Sequence, residues 1–272
     1  MRSDVSTKIR PPAVAGLFYP DEPAQLRDAV SDYLAQAPVN TGASPKALIV
    51  PHAGYIYSGG IAAAAYSLVA QRRSQIRRVV LIGPSHRVYL KGMAVPVAEA
   101  FQTPLGVVPI DNELKARALS VAQVVAADEP HANEHCLEVQ LPFLQMVLDD
   151  FSLLPVALGS AAPSAVADLL AAVWGGAETL VLVSSDLSHY LTYDAACQVD
   201  SQTIAAILRY DTHLTGEQAC GCIGINGLSH LARQRGLSIA EVAHCNSGDT
   251  AGDRYRVVGY GAFQLHEPAI RP

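Results

Sequence analysis

Seven short apolar runs, rich in β-branched residues, alternate along this chain with segments of helical spacing. The runs are KALIVP (46–51), RRVVLIG (77–83), MAVPV (93–97), SLLPVAL (152–158), TLVLVSS (179–185), LSIAEVAHC (237–245) and RVVGYGAFQL (256–265). Helical spacing is read at 23–36, 59–71, 111–120, 135–149, 163–173, 192–209 and 223–235, the first opening on Pro23 after Asp21. Runs such as LVLVSS and VVLIG are apolar at every position, so both of their faces need cover. Buried strands alternating with helices define the α/β class, a central, mainly parallel sheet flanked by helices. Half of the 272 residues are apolar, enough for a sizeable core, and no linker or repeat interrupts them. Residues 1–272 are therefore read as a single domain.

Charge and cysteine usage exclude several classes of partner. The net charge is −6, and basic residues cluster no further than Arg72-Arg73 and Arg77-Arg78, so neither nucleic acid nor an anionic membrane is expected. The longest apolar stretch, IAAAAYSLVA, is about half the roughly 20 residues that span a bilayer. The opening MRSDVSTKIRPPAVAG carries Asp4 and two prolines where a secretion signal needs an apolar core. Five scattered cysteines suit reduced thiols in the cytoplasm better than a disulfide framework. Cys220-Gly221-Cys222 has the form of a metal or redox pair, but without a second pair two small packed side chains are the preferred reading.

Three of the strongest runs end in a histidine. They read LIVPHAGY with His52, VVLIGPSHR with His86, and LVLVSSDLSHY with Asp186 and His189. Ligands of open α/β sheets bind beyond the carboxyl ends of strands, so parallel strands would bring these tails to one edge. A lone histidine after a strand is usually a loop or core residue; the threefold recurrence argues for a shared site. Two further stretches supply candidates. DEPHANEHCLEVQLPFL holds His131, Glu134, His135, Glu138 and Gln140, with His135 and Glu138 on one face if helical. As a lone His-x-x-Glu pair they suit a supporting role as well as ligation. AHCNSGDTAGDRYRVVGYGAF holds His244, Cys245, Asn246, Asp249 and Asp253, mostly in what reads as a polar turn, with at least one acid facing the histidines.

Neutral imidazole binds Fe(II), Zn, Cu and Ni, so the histidines alone do not select a metal. Two histidines and a carboxylate form the facial set of non-heme Fe(II) sites, with positions left for O₂ and substrate. A third, unligated histidine can move protons near neutral pH, and Asp186 can orient it or hold a water. No G-x-S-x-G elbow, G-x-G-x-x-G or phosphate-binding loop is present, whereas three protein ligands plus water would also serve a zinc hydrolase.

PHAGYIYSG, GPSH, EHCLEVQLPFLQ, SSDLSHY and NSGDTAGD…VVGYGAF, in this order and after RPPAVAGLFYP, resemble the Memo family, in particular its AmmeMemoRadiSam system protein B members. The resemblance spans nearly the whole chain. It implies a fold like that of class III extradiol dioxygenases, in which His52 and His86 match the two metal-binding histidines and His189 the acid/base histidine. The third ligand is a glutamate in the dioxygenases and a cysteine in animal Memo proteins. An ungapped placement puts Thr250 at that position, with Asp249 the nearest acid, so Asp249 is taken as the third ligand. His135, Glu138, Thr250 and Tyr55 are expected around the metal or the substrate pocket. The resemblance further implies Fe(II), with copper or zinc as alternatives, a catecholic small-molecule substrate, and radical-SAM or AMMECR-type protein partners. Two other readings stay open, a non-catalytic metal-binding or partner-recognition protein and the zinc hydrolase. A homo-oligomer is compatible with so apolar a chain, though no segment marks its interface.

Overall fold

The structure, a computed structural model, describes residues 8–38 and 42–268. Residues 1–7, on which the expected absence of a secretion signal partly rests, lie outside that range. In chain order the elements are β1 (Ile9–Arg10), α1 (Pro23–Gln36), β2 (Ala47–Val50), α2 (Tyr55–Ser67), β3 (Arg78–Pro84), β4 (Met93–Val95), β5 (Ala100–Thr103), β6 (Gly106–Pro109), α3 (Asn112–Leu119) and β7 (Val124–Ala126). There follow α4 (Glu129–Ala132), α5 (Leu141–Val147), β8 (Ser152–Leu158), α6 (Pro163–Val173), β9 (Thr179–Ser184), β10 (His189–Leu191), α7 (Tyr193–Leu208), α8 (Cys222–Arg235), β11 (Ser238–Asn246) and β12 (Val257–His266).

One sheet organises the molecule, in the order β10-β12-β2-β9-β3-β8-β4-β7, with β11 also paired to β12. Its four central strands, β2, β9, β3 and β8, are parallel, as the continuous apolar runs require. Its flanks turn antiparallel, β12 against β2 and β4 against β8. Alternation along the central strands explains why those runs are apolar throughout. Val80, Ile82, Val181 and Val183 face a core capped by α6 and α8, where Val166, Leu169 and Leu228 are buried. Val79, Leu81, Leu180 and Leu182 face the opposite core, with Leu26, Val30, Tyr66 and Phe143. Each such side chain contributes about 1.5–3 kcal/mol of transfer free energy, so both faces are strongly held.

The elements depart from the sequence expectation where glycine and proline act through tertiary contacts. The second helix starts at Tyr55, not at residue 59, because Gly59 is a contact point rather than a break. A Cβ there would lie 2.8 Å from the Tyr33 ring of α1. The helix expected over 135–149 is a short 3₁₀ turn, Glu138–Gln140, followed by α5 with Pro142 in its first turn. A second, three-stranded sheet, β1-β5-β6, has no counterpart in the sequence reading; its strands are only two to four residues long. Among the described residues no helix is long and apolar enough to cross a membrane.

Because β2, β9 and β3 are adjacent and parallel, their carboxyl ends open on the same edge. His52, His86 and the Asp186–His189 segment follow those three ends.

Candidate metal centre

His52 leaves β2 through Pro51 and is almost fully buried. Its backbone N–H donates to Asp186 Oδ1 at 2.7 Å, which fixes the main chain against the second residue after β9. Its ring Nδ1 lies 2.9 Å from Ser184 Oγ. That hydroxyl gives its one proton to the Cys136 carbonyl at 2.7 Å and accepts from Gln140 Nε2 at 2.8 Å. It has no proton left for the imidazole, so Nδ1 must be the donor and Nε2 keeps its lone pair. Burial above all, then the neighbouring His135 and His86, pushes the His52 pKa far below its usual value and keeps the ring neutral.

His86 follows β3 and is set by Glu134. The carboxylate accepts the His86 backbone N–H at 2.6 Å and faces its Nδ1 at 2.9 Å, and it also takes the N–H groups of His135 and Cys136. Burial pushes the Glu134 pKa up, but hydrogen bonding to His135 and His86 outweighs it and holds the carboxyl well below its usual range. An ionised Glu134 makes Nδ1 of His86 the donor and leaves Nε2 as the free base, the carboxylate–histidine arrangement that supports metal ligation. The His135 ring stacks on His86 at 4.8 Å and meets His52 edge-on at 5.4 Å. Its buried Nδ1 is 3.2 Å from Glu134 Oε1 but poorly aligned, and has no hydrogen-bond partner among the described residues.

Cys220 stands beside the two imidazoles. Its Sγ stands 3.3 Å from His52 Nε2 and accepts the Asp186 N–H at 3.3 Å. Gly221 makes that approach feasible, since a Cβ there would meet the Ser184 carbonyl and the Ser185 Cβ at 2.6 Å. Donor atoms of His52, His86 and Cys220 all lie within 4.8 Å of one another. Bonds of about 2.0–2.3 Å place tetrahedral ligands about 3.3–3.8 Å apart, so His52 Nε2 and Cys220 Sγ already stand at ligand spacing, and two imidazoles with a sulfur are donor types that suit a transition metal. Burial, then the charge of Asp186, pushes the Cys220 thiol far up, so a bound cation has to displace its proton. His86, Glu134 and Cys136 form a second close group, but Glu134 is committed to four donors and the Cys136 thiol to the Pro84 carbonyl.

His52, His86, His135 and Cys220 form the floor of a cavity of ≈ 880 Å³, whose walls include Phe18, Tyr57, Asp186, His189, Tyr190 and Arg256. Asp186 is buried, and desolvation raises its pKa. His52, His86, Asp186, His189 and His135 thus meet where the sequence suggested.

Four other expected residues do not reach the cavity. Asp249 accepts Tyr193 Oη–H at 2.6 Å and the Asn246 N–H at 3.0 Å, caps a 3₁₀ turn, and lines a separate cleft of ≈ 260 Å³. The structure thus places Asp249, expected as the third ligand, in local capping away from the His52–His86 pair, and places Cys220, thirty residues before Thr250, beside that pair. Thr250 is exposed and bonds the Ser247 carbonyl at 3.2 Å. Glu138 is fully buried below the site, paired with Arg10 and accepting from Ala13, Val14 and Tyr19, so it anchors the amino-terminal segment. Tyr55 donates to the Val139 carbonyl at 2.8 Å inside the core, and Tyr57 takes the cavity wall instead. Glu134 stood in the sequence beside His135 with no role assigned. Cys220 carried only the weak signal of its pairing with Cys222, which packs in the core.

A family model described as Memo-like protein matches residues 10–264. A MEMO1 family protein of Metallosphaera sedula is 35% identical, over 95% of this chain and 99% of its own length. One from Aquifex aeolicus is 36% identical, over 93% of this chain and 97% of its own. A solved structure, the uncharacterized protein JW3007 from Escherichia coli K12, shares the fold with a TM-score of 0.52, covering 80% of this chain and 98% of that one at 13% identity.

Proposed function

The chain belongs to the Memo-like protein family, and from that premise we propose that it is an Fe(II)-dependent oxygenase that opens catecholic rings. The observation that carries the reading is the pair of imidazoles, His52 and His86, each with Nδ1 tied so that Nε2 keeps its lone pair, beside Cys220 at the floor of a cavity walled by His189 and Asp186. His52, His86 and Cys220 would hold the iron, which when bound would supply a chelation point for two adjacent hydroxyls and the activation of O₂. The electrons come from the catechol itself, and both oxygen atoms end in the ring-opened product. His189 is free to take a hydroxyl proton from the substrate and return it to the opened product, since its ring makes no hydrogen bond among the described residues. Asp186 holds the His52 main chain and adds negative charge beside the thiol. Phe18 and Tyr57 give the aromatic ring an apolar wall. A thiol ligand has to stay reduced, which fits a cytoplasmic setting.

Cys220 also favours a second reading. Sulfur in place of carboxylate suits zinc or copper, hence a hydrolase or a metal-handling protein without turnover. Radical-SAM or AMMECR-type partners belong to either reading and are tested by co-purification. The deciding experiment loads the purified protein anaerobically with Fe(II), adds a catechol panel and O₂, and follows oxygen uptake and the yellow ring-opened product. Turnover that His189→Ala removes while iron stays bound supports the oxygenase. Stoichiometric zinc after expression without added metal, with ester or amide hydrolysis and no oxygen uptake, replaces it.

A further inference from the structure

The cavity wall carries two cations that the proposed chemistry does not use. Arg87 directly follows His86 beyond β3, and Arg256 directly precedes β12; both line the cavity and both are exposed. In the sheet order β12-β2-β9-β3 they stand on either side of the strands that deliver His52 and Asp186. Neither guanidinium has a carboxylate within ion-pair distance among the described residues, in a chain whose net charge is −6. The nearby acids are committed, Asp186 to the His52 N–H and Asp253 to the N–H groups of Tyr255 and Arg256.

Arg256 lies over the ring of Tyr190. Its guanidinium carbon lies 5.0 Å from the centre of the Tyr190 ring. Tyr190 has φ 60, a left-handed conformation costly for a side chain of its size, at the irregularity where β10 pairs β12. Adjacent strand residues normally face opposite sides; the bulge lets His189 and Tyr190 both line the cavity. A strained aromatic holding an unpaired arginine over a cavity is an anion-binding arrangement.

We propose that Arg87 and Arg256, the latter supported by Tyr190, form an anion-reading wall, so that the substrate carries a carboxylate or phosphate at its end away from the His52–His86–Cys220 floor. The proposal rests on the reading of this cavity as the substrate site. Calorimetric titration of the Fe(II)-loaded protein without oxygen, using catechol and its carboxylated counterpart protocatechuate, holds the metal end constant and isolates the anion. Protocatechuate is expected to bind about tenfold or more tightly than catechol, the usual weight of a charge-assisted contact. Arg256→Gln and Arg87→Gln should each bring that ratio towards one, with Arg256→Lys intermediate. Benzoate and phenyl phosphate, titrated alone, tell which anion is preferred.

A ratio near one in the unaltered protein, or a ratio untouched by both glutamine variants, overturns the anion wall while catechol binding preserves the oxygenase reading. Arginine-dependent binding of benzoate or phenyl phosphate without any binding of catechol supports the wall and removes the oxygenase. Failure of all four probes overturns both.

Discussion

Cys220 and Asp249 divide the site at the scale of single residues. Both lie in polar stretches flanking apolar runs, and the acid looked the better ligand by type. The structure spends Asp249 on Tyr193 and Asn246, and turns the Cys220 sulfur to His52. Metal analysis after equilibrium dialysis should therefore find one ion per chain in Asp249→Asn and an affinity lowered more than about tenfold in Cys220→Ser, since a serine hydroxyl is a poor replacement for thiolate. Glu134→Gln should weaken the metal about 10- to 100-fold, the usual effect of losing a ligand's supporting carboxylate. His52 and His86 were legible because residue type and position after a strand are local facts. Glu134 was not, since its role lies in the folded contact with His86.

Short elements around the sheet owe their position to buried polar ties. Glu138, in the 3₁₀ turn before α5, neutralises Arg10 of β1, and both are buried. Glu138→Gln leaves that guanidinium unpaired and should cost about 3–5 kcal/mol in urea unfolding, with metal stoichiometry of the folded fraction unchanged. His131 in α4 donates from Nε2 to the Ala94 carbonyl of β4 at 3.0 Å. Burial lowers its pKa to about 4, although that hydrogen bond opposes the shift. The folded protein therefore keeps His131 neutral where the unfolded chain takes up a proton. The stability it represents is complete above about pH 6.5 and is lost as pH falls towards 4, by about 3 kcal/mol. Urea midpoints measured across that window should drop less steeply in His131→Phe. Apolar period identified the long strands and helices; β1, β5 and β6 escaped because two to four residues carry no period.

At the scale of the whole molecule, the candidate metal set joins parts of the chain far apart in sequence: His52 after β2, His86 after β3, and Cys220 before α8, 168 residues beyond His52. A ligand that bridges them binds only the folded state. Metal at about a hundred times its dissociation constant should add about 2.7 kcal/mol, raising Tm by roughly 5 to 10 °C in scanning fluorimetry. Chelator should reverse the rise, and His52→Ala should show none. The sequence by itself determined the α/β class, the parallel centre of the sheet and the edge at which the histidines gather, because strand burial and strand direction follow from local apolar pattern and connection length. Only the tertiary structure decided which thiol and which acids reach that edge, because this depends on how closely Gly221 lets the start of α8 approach β9 and on which carboxylates find backbone donors first.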